Sequence, residues 1–192
     1  MSFNHPDRLF PADPAVRSIA RDLFEQVRDL PIVSPHGHTD PSWFAKDEPF
    51  EDAVELLIKP DHYVFRMLYS QGISLESLGI PRLDGAEIEQ DSRKIWSIFA
   101  DHYYLFAGTP SRLWMDHVFN DVFGFDEALS EENADACFDR INEQLSQEEF
   151  RPRRLFERFN IEVLATTESP LDSLEHHATV MQSSWDGKVI TT

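Results

Sequence analysis

Leu30-Pro31-Ile32-Val33-Ser34-Pro35-His36-Gly37-His38 is a short apolar run that ends in two histidines separated by one glycine. Pro31 has no N–H to give to a helix, so it stops the helical pattern before it and lets a strand begin at Ile32. Side chains two residues apart on an extended strand point to the same face, so His36 and His38 are expected to aim both imidazoles at one point just beyond that strand. Two neutral imidazoles on one rigid element suit a single borderline divalent ion, zinc first, with manganese, iron or nickel as alternatives. Gly37 between them lets backbone or substrate come close. Two polar residues that merely end a buried strand would look the same, so the rest of the chain has to decide.

Working outward, Asp13 caps and Pro14 opens an amphipathic helix with Val16, Ile19, Ala20, Leu23, Phe24, Val27 and Leu30 at three- and four-residue steps. After the His pair no strand pattern returns for more than a hundred residues. Helix is expected over 50–58, 61–70, 92–107, 111–123, 131–145 and 153–159, with Gly72, Gly108 and Gly124 at helix ends and Thr109-Pro110 and Ser130 at helix starts. A β-type run resumes at Ile161-Glu162-Val163-Leu164-Ala165-Thr166-Thr167. Ser169-Pro170 is then expected to cap a helix carrying Leu171, Leu174, His177 and Met181, and Asp186-Gly187 turns into a third strand, Lys188 to Thr192.

Strand, long helical excursion, strand, helix, strand is the order of an α/β protein with parallel strands, a sheet or barrel interrupted by an all-helical insertion. The expected division is 1–38 (first helix and strand), 39–160 (helical insertion) and 161–192 (second strand, helix, third strand). Three strands do not close a barrel, which takes about 250 residues. The 192-residue chain is therefore expected to be an amino-terminal piece, or to be completed by another polypeptide.

The excess of 35 acidic over 17 basic side chains gives a formal charge of -18, which disfavours nucleic acid and anionic membranes as partners. The lone cysteine, Cys137, rules out an intramolecular disulfide and fits a buried structural thiol. No signal peptide or apolar run of membrane-spanning length is visible, and a cytoplasmic location is expected.

Two further constellations bear chemistry. If Asp61 caps a helix, His62 and Tyr63 lie in its first turn and Arg66 lies one turn on, so an imidazole, a phenol and a guanidinium gather near a helix N-terminus. That set can receive a carboxylate or a polyhydroxylated anion, and it is equally compatible with an ordinary capped helix bearing an Arg salt bridge. Ala165-Thr166-Thr167-Glu168-Ser169-Pro170-Leu171-Asp172 places hydroxyls and Glu168 at the C-terminal end of a strand, the end at which α/β proteins bind ligands. The adjacent His176 and His177 point about 100° apart on a helix and are expected to be structural or exposed.

Taken together, 31–40, 61–68 and 165–177 resemble, in order and spacing, the uronate (glucuronate) isomerases of the amidohydrolase superfamily, over a span from about Phe10 to the last residue. The resemblance implies the amino-terminal part of a metal-dependent (β/α)8 barrel of the TIM type, with a large all-helical insertion after its first strand. It implies interconversion of D-glucuronate with D-fructuronate and of D-galacturonate with D-tagaturonate, His36 and His38 as metal ligands, and His62 and Tyr63 reaching the substrate. It also implies an Asp and an Arg on an eighth strand and an Arg after the third, all beyond Thr192. The chain departs from the family pattern at Glu168, where many relatives are expected to carry Asp, and at Leu68-Tyr69.

Aldose–ketose isomerisation needs a positioned acid–base group and an electrophile on the sugar oxygens. Tyr63, assisted by His62, is assigned to proton transfer or positioning, His62, Tyr63 and Arg66 to substrate binding, and one divalent ion on His36 and His38 to the oxygens. The expected partner is a small uronate sugar, and the full-length protein is expected to be a homo-oligomer. Two other readings stay open: a metal-dependent hydrolase with the same His pair, and a non-catalytic protein that binds a partner through the acidic helical segment from Asp84 to Phe159.

Overall fold

Caps and prolines place the first elements in the computed structural model, which describes residues 4–192. Helix α1 spans Pro14–Val27, with the Asp13 carboxylate accepting from the N–H groups of Ala15 and Val16 at 3.0 and 2.9 Å. Strand β1 (Ile32–Ser34) follows, then α2 (Pro41–Lys46), capped by Asp40 with Pro41 at its first position. The chain continues through α3 (Ala53–Leu57), α4 (His62–Ser70), α5 (Ser92–Asp101), α6 (Pro110–His117), α7 (Ala134–Leu145) and α8 (Pro152–Arg158). It then forms β2 (Ile161–Thr166), α9 (Glu175–Gln182) and β3 (Lys188–Thr191). Short 3-10 turns at Tyr103–Phe106 and Glu131–Asn133 and a π turn at Val118–Val122 break up helices that the apolar spacing alone predicts as continuous. Gly72, Gly108 and Gly124 have φ of 90°, 77° and 71°, the left-handed conformation that closes a helix.

One helix differs from the expectation. Ser169 does not cap α9: its N–H donates to Asp172 Oδ2 at 2.7 Å and its hydroxyl accepts from the N–H of Leu171 at 3.3 Å. These local bonds close a turn of their own, and the helix starts only at Glu175, after Leu174 in the left-handed region at φ 54°. Leu171, expected on the buried face, is exposed.

The chain divides into two compact units. The helical unit comprises Phe50–Ser146 together with the residues up to Arg8. Its core is aromatic: Trp96, Phe99, Tyr103, Phe106 and Phe119 are fully buried, with edge-on and tilted rings at 5.3 to 6.1 Å. The polar tips are satisfied. Trp96 Nε1 donates to Ala134 O at 2.9 Å, and Tyr103 Oη donates to Asp116 Oδ1 at 2.9 Å while Arg112 holds the same carboxylate. Burial and Asp116 push the Tyr103 phenol far above its ordinary range, so it stays a donor. Cys137 is a free, buried thiol whose pKa burial raises.

The sheet unit comprises Leu9–Pro49 and Gln147–Thr192. Its strands lie in the order β1-β2-β3, both pairs parallel, as the alternation of elements requires. Thr166 stands opposite Thr191, and β1 slips register between Ile32 and Val33. Phe44, Phe156, Leu164, Val180 and Val189 form the core, and Trp185 stacks on Phe44 with ring planes 7° apart. Gly187 is required there, because a Cβ at that position would lie 2.2 Å from the Trp185 ring. No helix among the described residues is long and apolar enough to cross a membrane.

Candidate active site

β1 ends at Ser34, so His36 and His38 lie beyond the strand rather than on it, both exposed. Their side chains nevertheless converge: the two Nε2 atoms are 3.3 Å apart and the rings meet edge-on at 80°. Two nitrogens bound about 2.0–2.1 Å from one tetrahedral ion stand about 3.4 Å apart, so the pair has the spacing of two ligands of a single metal. No third His, Cys, Asp or Glu among the described residues completes a group able to hold an ion. The donor set therefore fits a divalent metal as half of a tetrahedral site. Gly37 passes β2 closely, but a Cβ there would meet Ala165 O at 3.4 Å, an ordinary contact, so proximity alone does not require glycine.

At the C-terminal end of β2 the hydroxyls divide between two tasks. Thr166 is fully buried, with its Oγ1 2.8 Å from His177 Nε2 and 3.2 Å from Ile190 O. Thr167 Oγ1 faces the other way and lies 3.3 Å from His36 Nδ1. Glu168 is nine-tenths buried, with Oε1 3.4 Å from His177 Nε2 and neither oxygen hydrogen-bonded. His177 is thus a buried structural histidine of α9. His176 is half-buried, with Nε2 3.9 Å from Glu175.

The other constellation belongs to the helical unit. Asp61 caps α4 by accepting from the N–H of Tyr63 at 2.8 Å, and Val64 and Leu68 point into the core. The His62 and Tyr63 rings lie 4.3 Å apart, and Tyr63 is 66% exposed. Arg66 is exposed and, among the described residues, enters no ion pair, unlike the salt-bridged arginine of an ordinary helix surface. An imidazole, a phenol and an unpaired guanidinium at the start of one helix can bind an anionic, hydroxyl-rich molecule.

Sequence reasoning did not find the link from Thr167 to His36 or that from Thr166 to His177. The hydroxyls at a strand's C-terminal end were the signal. Their partners lie 131 and 11 residues away, and only the sheet register assigns them.

A family model described as glucuronate isomerase matches residues 14–192. The chain belongs to the glucuronate isomerase family. It is 65% identical over 187 residues to a uronate isomerase of Rhizorhabdus wittichii, an alignment that covers 97% of this chain and 39% of the relative. The crystal structure of glucuronate isomerase from Caulobacter crescentus superposes with a TM-score of 0.94 at 59% identity, over 98% of this chain and 39% of that one. That of uronate isomerase from Thermotoga maritima superposes with a TM-score of 0.79 at 28% identity, over 91% and 37%. The chain thus spans about 39% of the length of these two relatives from Rhizorhabdus wittichii and Caulobacter crescentus.

Proposed function

We propose that these residues serve an isomerase that interconverts D-glucuronate with D-fructuronate and D-galacturonate with D-tagaturonate. The observation that carries the reading is the match to family members along nearly the whole chain, at 65% identity to one named uronate isomerase. The parallel order β1-β2-β3, with α9 between β2 and β3, supports reading the sheet as part of a (β/α)8 barrel and the helical unit as an insertion after the first strand.

His36 and His38 would hold one divalent ion, zinc or else manganese, iron or nickel, through their converging Nε2 atoms. When bound, such an ion supplies Lewis-acid polarisation of the sugar's carbonyl and hydroxyl oxygens. Aldose-to-ketose conversion takes a proton from C2, delivers one to C1, and moves the hydroxyl proton of O2 toward O1. Tyr63 Oη, exposed and with His62 beside it, is suited to carry a proton or to hold the hydroxyl that gives one up. Arg66 is suited to the C6 carboxylate, with which a guanidinium forms two parallel N–H···O bonds.

The test is a chimera in which this chain replaces the matching residues of the Rhizorhabdus wittichii uronate isomerase, assayed for ketose formation from D-glucuronate and D-galacturonate. Activity within about tenfold of the parent is expected, a barrier change of about 1.4 kcal/mol. A folded chimera that converts neither uronate would overturn the assignment.

A further inference from the structure

His36 projects from an exposed loop past the end of β1, where an imidazole is free to rotate unless something holds it. Thr167 is placed to hold it. The residue before it, Thr166, is fully buried, and its single hydroxyl proton goes to Ile190 O, so Oγ1 accepts from His177 Nε2. The residue after it, Glu168, is nine-tenths buried against the same His177. Thr167 is therefore flanked by two side chains packed against α9, and its backbone continues directly from a strand paired to β3 in register at Thr166 and Thr191. Successive side chains of a strand face opposite ways, so turning Thr166 inward turns Thr167 outward, toward His36 Nδ1 at 3.3 Å.

An imidazole that offers its Nε2 lone pair to a metal carries its proton on Nδ1, and that proton needs an acceptor. We propose that Thr167 is the positioning residue of His36: its Oγ1 accepts the Nδ1–H, fixes the ring plane, and leaves the Nε2 lone pair facing Nε2 of His38. The inference rests on the reading of the His pair as a metal site and assigns to that site a support from the residue that follows β2.

Because His36 and His38 make only half of a tetrahedral site, zinc affinity of the chimera with the Rhizorhabdus wittichii enzyme, measured by chelator competition, tests it with Thr167→Val, Thr167→Ser and Thr167→Ala. Thr167 is exposed, so valine keeps the shape and the fold while removing the acceptor. Thr167→Val and Thr167→Ala are expected to weaken zinc binding roughly 10- to 100-fold, and Thr167→Ser to retain it. Long-range proton–nitrogen NMR of the zinc-free chain should place the His36 proton on Nδ1, and Thr167→Val should move the tautomer balance toward Nε2. Zinc binding by the unsubstituted chimera that Thr167→Val leaves unchanged overturns this inference alone, as does an Nε2 proton on His36. Failure of the unsubstituted chimera to bind zinc, or binding that survives His36→Ala with His38→Ala, overturns the metal site and this inference with it.

Discussion

The helical unit closes a core of large aromatic side chains, whereas the sheet unit leaves every large apolar side chain of one helix, α1, unburied. Trp96, Phe99 and Phe106 are 0% exposed, yet α1 has no buried residue and Leu23 on it is 62% exposed. Both helices α1 and α5 have a strongly apolar face, so sequence patterning alone does not separate them; what differs is whether neighbouring elements reach that face. α5 is packed against α3 and α7, and its Trp96 donates a hydrogen bond to the backbone carbonyl of Ala134, the first residue of α7. The residues available for chemistry follow the same contrast. In the helical unit Tyr63 and Arg66 are exposed on a helix whose other side is anchored by Val64 and Leu68. In the sheet unit His36 and His38 sit on a loop, and His36 is met by the hydroxyl of Thr167, just past β2.

That comparison predicts that chemistry and stability separate cleanly in the helical unit. Tyr63→Phe, made in the chimera with the Rhizorhabdus wittichii enzyme, is expected to lower turnover roughly 10²- to 10⁴-fold, the range for loss of a general acid–base group. Metal content and the urea midpoint should not move, because the lost hydroxyl sits on an exposed ring. Unchanged turnover would remove Tyr63 from the chemistry. Trp96→Ala in the chain itself should cost about 3–5 kcal/mol in urea unfolding, since it opens a cavity among Phe99, Phe119 and Phe138 and removes the hydrogen bond to the Ala134 carbonyl. A loss below about 1 kcal/mol, the range of ordinary surface changes, would mean that the aromatic core does not hold the unit together.

What could be read from the sequence was local. Asp13-Pro14, Asp61 and Thr109-Pro110 cap helices where their side chains suggest, because a capping bond spans two or three residues. Asp40-Pro41 carries the same signature, but α2 is too short to show an apolar period. The Ser169-Pro170 signal misleads because Asp172 competes for the Ser169 N–H and closes a turn instead. Helix ends at Tyr103–Phe106 and Val118–Val122 pass into 3-10 and π turns that keep side chains on the packed face, so the apolar spacing reads through them. At the candidate site the His pair was legible as a motif, but Thr167, Thr166 and His177 reach their partners only through strand pairing and the packing of α9. Nonlocal contacts of that kind leave no periodic trace.

The smallest expected effect is also the sharpest test of the contrast. Leu23→Ala removes an apolar side chain from the middle of α1, a change that in a core would cost about 2–5 kcal/mol. Here the side chain is mostly in water already, alanine is the better helix former, and the Asp13 cap at the start of the helix is untouched. The expected loss is within about 0.5 kcal/mol in urea unfolding. A loss of core size, dependent on protein concentration and accompanied by a smaller assembly in sedimentation, would show that a second copy of the chain covers α1 in solution. The same loss without concentration dependence would mean that α1 is covered within the chain, and the contrast between the two units would fail.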